Sequence, residues 1–472
     1  MRKYLFFLLL LSFVSFSFAK ENDKTKQTSK SVQLNEMQVL ELAKQLISKG
    51  DFETAKQLYI ALLKSPILEI RIEAVFNLSQ LYAFQKDYKT AISYLDTILD
   101  LFPKLTRIRF ELARVYFLNE EYDKADENFS LVKADEQTPQ EVVAIIDDFL
   151  EKIRRQKNWS VDFGLAFVPD SNINNATKNT EECVIYLGML LCRPLEDPKN
   201  VLGIKTNFTA NYFYKFNDSL GIKTTLYLSN QSYPKWLESG RSFLNVGKKF
   251  EQDNKYRQDT IYIASGPRYV FKNGETSLQG TYTKSYSGGK QYSDNTGIRL
   301  GNNWNVYGNF VLSLDNGYQW STYHKEYIND ILRGNTLYNT LGLRYYLNSW
   351  SFVNGNIGFN KDETKLKVYS SDSYIYGGSY YAYLWWGFST YFTYSLTNKE
   401  YKDENVYVKN LDFESIKRKD EMHDFSVSIQ NNKMKLFNIV PSLRYSYTKN
   451  TSNVDIYNYE RHRGEIIMNY EY

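Results

Sequence analysis

The sequence predicts a two-part α + β chain: an N-terminal α-helical repeat solenoid followed by a C-terminal 14-stranded antiparallel transmembrane β-barrel. Three observations lead there. Residues 34–157 repeat a helical pattern every 34 to 36 positions, residues 158–472 carry run after run of alternating apolar and polar residues, and the chain opens with an export signal. The 41 tyrosines and 29 phenylalanines suit the aromatic girdles of a membrane barrel.

Residues 1–19 read as a signal peptide: Arg2 and Lys3 precede an apolar stretch from Leu5 to Val14, and Ser17-Phe18-Ala19 supplies a small-x-small cleavage site. No cysteine follows Ala19, which argues against lipid attachment there. Residues 20–33 are polar, lysine-rich and aperiodic, as a flexible linker is.

From residue 34 three segments align: Gly50-Asp51-Phe52-Glu53-Thr54-Ala55, Lys86-Asp87-Tyr88-Lys89-Thr90-Ala91 and Glu120-Glu121-Tyr122-Asp123-Lys124-Ala125. Each alanine is preceded at one distance by a leucine and a small residue (Leu42-Ala43, Leu78-Ser79, Leu112-Ala113), and then by Leu46, Tyr82 or Tyr116. Four positions after each alanine stands a large residue, Tyr59, Leu95 or Phe129. Two short antiparallel helices approach closely only where small side chains meet, and bulky ones fill the next layer. The pattern resembles the tetratricopeptide repeat, with Pro66, Pro103 and Pro139 near the repeat ends. A further amphipathic helix, about Gln140 to Gln156, would cap the stack. The concave surface of such a stack holds a peptide or protein, or the stack is a rigid spacer. Arg107, Arg109 and Arg114 read as a solvated face rather than a binding patch.

At Trp159 the period changes to two. In the closing run Ile466, Met468, Tyr470 and Tyr472 fall on one face and Glu465, Asn469 and Glu471 on the other, with only Ile467 out of step. Phe425, Val427 and Ile429, Leu341, Leu343, Tyr345 and Leu347, and Phe310, Leu312 and Leu314 alternate in the same way. A soluble sandwich would alternate too. Strand runs of about ten residues, the aromatic share and the export signal favour a barrel with its apolar face on lipid and its polar face around a wet lumen. After residue 19 no apolar run reaches the roughly 18 residues of a membrane helix, so any spanning structure must be a closed sheet.

Tight turns are expected at Asn217-Asp218, Lys272-Asn273-Gly274, Tyr307-Gly308, Asn348-Ser349, Trp386-Gly387 and Asn431-Asn432-Lys433, on the periplasmic rim. Six turns join twelve strands. The first strand, about Ser160 to Phe167, and the last, about Arg461 to Tyr472, bring the total to fourteen, an even number that leaves both ends on one side. Long connections at about 168–202, 229–257, 287–293, 323–335, 363–374, 401–421 and 450–460 would line the other rim. The piece Ser242 to Phe250 would make a fifteenth strand and break the parity, so it is assigned to an outer loop.

The 58 basic against 54 acidic side chains are too even for a nucleic-acid surface, and no nucleic-acid partner is expected. His324, His423 and His462 have no metal-ligand spacing, and no catalytic triad, phosphate loop or paired-cysteine motif occurs. Neither an enzyme nor a cofactor or metal is expected, and Glu465 and Glu471 read as solvated lumen residues. Cys183 and Cys192, nine positions apart in the first long connection of an exported chain, favour a disulfide over two reduced buried thiols. In the polar run from Asp170 to Asn175, the residues Asp170, Asn172 and Asn174 either form an Asx-type turn or belong to a client-binding path or lateral seam beside the first strand. The turn is the simpler reading, and the seam rests on analogy with other protein-handling barrels.

The export signal, the repeats and the barrel together resemble the surface lipoprotein assembly modifier family of outer-membrane proteins. The junction carries the resemblance furthest: Pro139, a helix to Arg154-Arg155, Trp159 with a first strand, then Asp170-Ser171-Asn172-Ile173-Asn174-Asn175-Ala176. Ser379-Tyr380-Tyr381 and Asn398-Lys399-Glu400-Tyr401 are similar as well. The resemblance implies an outer-membrane protein translocator of a Gram-negative bacterium, with the helical domain in the periplasm. Its implied partners are a client surface lipoprotein or other exported protein, outer-membrane lipid, periplasmic chaperones and the barrel-insertion machinery. An exopolysaccharide exporter is the alternative, because such exporters also join tetratricopeptide repeats to a barrel. A passive solute porin is a third, though it would have no use for the helices.

Overall fold

Among the described residues seven helices precede the first strand: α1 (Glu36–Ser48), α2 (Phe52–Leu62), α3 (Leu68–Phe84), α4 (Tyr88–Leu101), α5 (Thr106–Leu118), α6 (Tyr122–Lys133) and α7 (Gln140–Gln156). The computed structural model describes residues 34–233, 254–306, 309–431, 434 and 439–471. The expected signal peptide and linker, the piece Ser242 to Phe250, and turn residues 307–308 and 432–433 lie outside the described residues.

The first six helices form three consecutive pairs, and the repeat residues are where the pairs close. Ala43, Ala55, Ser79, Ala91, Ala113 and Ala125 are all 0% exposed, and Tyr59, Leu95 and Phe129 are at most 1% exposed. Each of those three large side chains contributes roughly 1.5–3 kcal/mol by leaving water. Asp51 and Asp87 cap α2 and α4 by accepting from the amides of Thr54 and Thr90, both at 3.2 Å. The residue before the N-cap of each second helix is left-handed, at φ 81° for Gly50, 64° for Lys86 and 62° for Glu120. Only the first repeat places a glycine where that conformation costs nothing. α7 covers the last pair with Ile146, Leu150 and Ile153.

The sheet follows at once: β1 (Trp159–Asp170), β2 (Glu181–Tyr186), β3 (Met189–Pro194), β4 (Val201–Lys215), β5 (Leu220–Ser232), β6 (Gln258–Phe271), β7 (Gly274–Ser287), β8 (Lys290–Asn305) and β9 (Phe310–Tyr323). A short helix, α8 (Glu326–Leu332), precedes β10 (Gly334–Asn348), β11 (Ser351–Thr364), β12 (Ser371–Tyr383), β13 (Phe388–Lys409), β14 (Asp412–Asn431), β15 (Ile439–Ser452) and β16 (Tyr459–Glu471). β1 and β4 to β16 close a fourteen-stranded antiparallel barrel in which β1 pairs with both β4 and β16, while β2 and β3 form a separate hairpin.

The faces carry the predicted signs. Leu341, Leu343 and Leu347 on β10, Phe425 and Ile429 on β14, and Ile466 on β16 stand 38–61% exposed on the outside together with Leu443. Arg299 forks onto Asp315 inside, with both bonds at 2.8 Å, and Thr393 bonds Ser426 at 2.7 Å. No described helix is long and apolar enough to cross a membrane. Tyr212, Tyr214, Tyr269, Trp385 and Trp386 ring the short-turn end and Trp320, Tyr374 and Tyr376 the other, as expected of interfacial girdles in an outer-membrane barrel. Ile467, out of step in sequence, points inward and packs on Ala166 and Val168.

Two expected loops are strands instead. β7 and β8 meet in a two-residue turn whose Gly288 and Gly289 are both left-handed, which is a hairpin signal within the expected loop 287–293. β13 and β14 continue through the expected loop 401–421 to a turn at Asn410 and Leu411. Their outer ends mix charged and apolar residues on both faces, because beyond the membrane neither face meets lipid.

Candidate functional site at the barrel seam and inner mouth

β1 and β16 join the two ends of the barrel sequence, and their ladder has a gap. It runs from Asp162 opposite Glu471 to Phe167 opposite Ile466, then resumes only at Asp170 opposite Arg463. Between lie Val168 and Pro169, and proline has no amide to donate. The other flank of β1 pairs with β4 without a break from Trp159 to Asp170.

Beyond the gap, side chains reinforce a short resumed stretch of ladder. Arg461 Nε lies 3.0 Å from both carboxylate oxygens of Asp170 and its Nη2 lies 2.5 Å from Oδ2, while Nη1 donates to Asn175 Oδ1 at 3.1 Å. The Asp170 side chain has 0% exposure and that of Arg461 20%. The His462 amide donates to Ser171 Oγ at 2.8 Å, and the Ser171 amide to the His462 carbonyl at 3.0 Å. Asn172 Nδ2 donates to the carbonyls of Glu460, at 3.0 Å, and Ala176, at 2.8 Å, and its Oδ1 accepts from the Ala176 amide. Lys178 pairs with Glu460 at 2.7 Å.

Asp170 and Asn172 therefore meet at the seam, whereas Asn174 works within its own connection, holding the Asp197 carbonyl and the Lys199 amide. The motif is an Asx-type turn, since Asp170 Oδ1 accepts from the Asn172 amide, and it is also clamped to the last strand. Sequence reasoning missed Arg461, Ser171 and Lys178. The cationic run Arg461-His462-Arg463 ahead of an apolar strand was the available signal.

At the short-turn rim the helices lie over the mouth. Arg155 reaches the Asp218 carbonyl at 3.0 Å, Arg154 the Lys272 carbonyl, and Asn309 of the β8–β9 turn the Ala134 carbonyl at 3.1 Å. Thr106 Oγ1 lies 3.2 Å from Ser349 Oγ, and Tyr383 donates to Asp100 at 2.8 Å. Leu131 and Ala134 pack on Tyr346 and Phe352 of the barrel wall. The docked surface spans five successive turns, from β4–β5 to β12–β13.

The three arginines of the third repeat separate. Arg107 is exposed and pairs with Glu73, which Lys44 also reaches, and Arg114 pairs with Glu111. Arg109, contrary to the expected solvated face, is 2% exposed, held by Asn128 and the Pro103 carbonyl, with the Tyr383 ring 5.0 Å away. On α6, burial pushes the carboxyl of Asp126 up to about 6, and Arg154, Arg344 and Lys157 offset that only in part.

The β2–β3 hairpin lies in the β1–β4 connection, with Cys183 and Cys192 bonded across it. Among the described residues the one cluster of potential metal donors is Glu181 with these two cysteines, whose thiols the bond consumes.

A family profile described as Surface lipoprotein assembly modifier matches residues 159–471, and one described as Tetratricopeptide repeat matches residues 85–145. A Surface lipoprotein assembly modifier of Haemophilus influenzae strain 86-028NP is 25% identical over 80% of this chain and 72% of its own length. Its namesake in Moraxella catarrhalis is 24% identical over 79% of this chain and 68% of its own. Among solved structures, Acinetobacter baumannii OccAB3 superposes with a TM-score of 0.36 at 7% identity, over 66% of this chain and 99% of its own, too slight a likeness to bear on function. With two thirds of its residues matched by the first profile and helical repeats before them, the chain belongs to the surface lipoprotein assembly modifier family.

Proposed function

We propose that this protein delivers surface lipoproteins from the periplasm to the cell face, with the helical domain engaging the client and the barrel providing the passage. One observation carries the reading: the helical domain rests on the barrel's inner mouth through contacts with five successive turns, so a client bound to the helices arrives at the passage itself. The contacts are rim hydrogen bonds, each worth about 1 kcal/mol, around one apolar patch where Leu131 and Ala134 meet Tyr346 and Phe352, and client binding would have to outweigh both to shift the docked domain. The Asp170–Arg461 clamp fits a seam that opens at its outer end, because the backbone ladder is interrupted at Val168 and Pro169 and beyond that break side chains supplement only a short stretch of backbone pairing. No nucleotide site is needed if folding of the client outside supplies the free energy. On this reading the protein is a carrier rather than an enzyme. Periplasmic chaperones and the barrel-insertion machinery belong to the same proposal, as suppliers of client and barrel.

The test compares cells with and without this protein by labelling surface lipoproteins with a membrane-impermeant reagent. Particular lipoproteins should vanish from the labelled set while their cellular amounts hold. An unchanged surface set, or loss of a surface polysaccharide with lipoproteins intact, would reject the reading.

A further inference from the structure

The β2–β3 hairpin exposes what a water-facing loop ordinarily hides. Leu187 is 81% exposed, Leu190 60%, Met189 59%, Ile185 51% and Leu191 48%. Ile185 stands opposite Leu190 and Val184 opposite Leu191, so the apolar residues occupy both faces of the ribbon. Among the described residues neither face joins a hydrophobic core.

The two edges differ. β2 leans on the projecting β13–β14 hairpin, the Ile185 amide donating to the Leu411 carbonyl at 2.6 Å. β3 pairs with β2 alone among the described residues, and all six of its residues are exposed. Proteins blunt such edges with lysine, proline or a bulge. Here Met189-Leu190-Leu191 presents no charge before Arg193 and no proline before Pro194.

The chemistry of the edge selects its occupant. Hydrocarbon leaves a row of backbone donors and acceptors unpaired, so an open edge does not rest in lipid. A small ligand needs a concave site, which a two-stranded ribbon lacks. An extended polypeptide supplies backbone partners and apolar side chains together, as in strand addition. The Cys183–Cys192 bond holds both strands in register beforehand, which lowers the ordering cost of binding. The hairpin also rises from the connection whose root is the seam clamp, on the rim where a passenger would leave.

We propose that the open edge of β3 receives an extended apolar strand of the emerging client by β-augmentation. This rests on the transport reading above and adds where, and by what contact, the client is held outside. The test uses the full chain in lipid nanodiscs and a fluorescein-labelled seven-residue peptide of alternating threonine and valine. Anisotropy should rise saturably. Binding should weaken about tenfold or more when the peptide is N-methylated along one edge, and equally when Leu190→Lys is combined with Leu191→Lys. Leu190→Met should bind as wild type, and heat-modifiable gel mobility will show that every variant holds a folded barrel. Absence of saturable binding, equal binding of the N-methylated peptide, or dimerisation of the protein through the hairpin would each overturn the proposal. If peptide pairing fails while surface display still depends on the protein, the hairpin proposal falls and the transport reading stands. Intact pairing without that dependence means the reverse.

Discussion

Asp170→Asn keeps the side chain's shape and removes the charge around which the outer seam is assembled. Arg461 makes its three contacts of 2.5 to 3.0 Å to one carboxylate with no exposed side-chain surface, and among the described residues its other acceptor is Asn175 at 3.1 Å. Removing one partner of a buried pair costs about 3–5 kcal/mol, and the one-fifth exposure of Arg461 puts this case near the lower figure. The loss is local, because Pro169 has no amide and nothing between Phe167 and Asp170 continues the ladder. Hydrogen exchange read by mass spectrometry on the folded barrel should show the amides of Ser171, Asn172 and His462 exchanging about a hundredfold faster, while β8 and β9 keep their protection. Adding Arg461→Gln should recover part of the loss, since no uncompensated charge then remains. Unchanged exchange at those three amides would refute the claim that the ion pair, rather than the backbone ladder, holds the seam shut.

Further outcomes follow from the helices and the rim. The Asp126 carboxyl titrates near 6 in the folded protein against 3.8 for the free group, so its neutral form is the one the folded state favours. That contribution is complete below about pH 4 and lost as pH rises through 6; the helical domain should therefore melt higher at pH 5 than at pH 7.5, and Asp126→Asn should remove that difference. Lys86→Gly should raise the thermal midpoint, because a left-handed lysine costs about 1 kcal/mol that glycine does not; a lower midpoint would show that the turn carries no such cost. Arg155→Ala with Tyr383→Phe removes three of the bonds holding the helices on the rim and should turn a quiet barrel into one with frequent conductance steps in planar bilayers. Steps no more frequent than those of the unaltered protein would show that the helices do not seal the mouth. Cys183→Ser with Cys192→Ser should expose residues 184–191 to protease without altering barrel mobility on gels, the bond contributing about 2–3 kcal/mol locally.

Much of the fold was legible because its periods are long and strict. Ala55, Ala91 and Ala125 recur at repeat spacing because only small residues fit where paired helices touch, and Leu341, Leu343, Phe425 and Ile429 alternate because lipid lies on one side alone. The outer rim was harder to read. Beyond the membrane the β13–β14 hairpin meets water on both faces, so its strands lose the alternation that marks a strand, and Gly288-Gly289 signals a turn as short as any on the inner rim. Asp170 and Asn172 were identifiable as a polar run beside the first strand, but their partners Arg461 and Glu460 stand almost three hundred positions away. No local pattern encodes a closure that only the barrel's circularity creates. The burial of Arg109 was hidden for the same reason: the surface covering it belongs to another domain.

If the helices deliver the client, the docked domain and the passage beneath it act together. Thr106 and Ser349 place their hydroxyl oxygens 3.2 Å apart across that junction, so Thr106→Cys with Ser349→Cys can bolt the helical domain to the rim. Surface labelling of lipoproteins in cells carrying the double variant should fall to the level of cells lacking the protein and return on mild reduction, with the single-cysteine variants unaffected by either treatment. Full labelling with the bolt closed would contradict the claim.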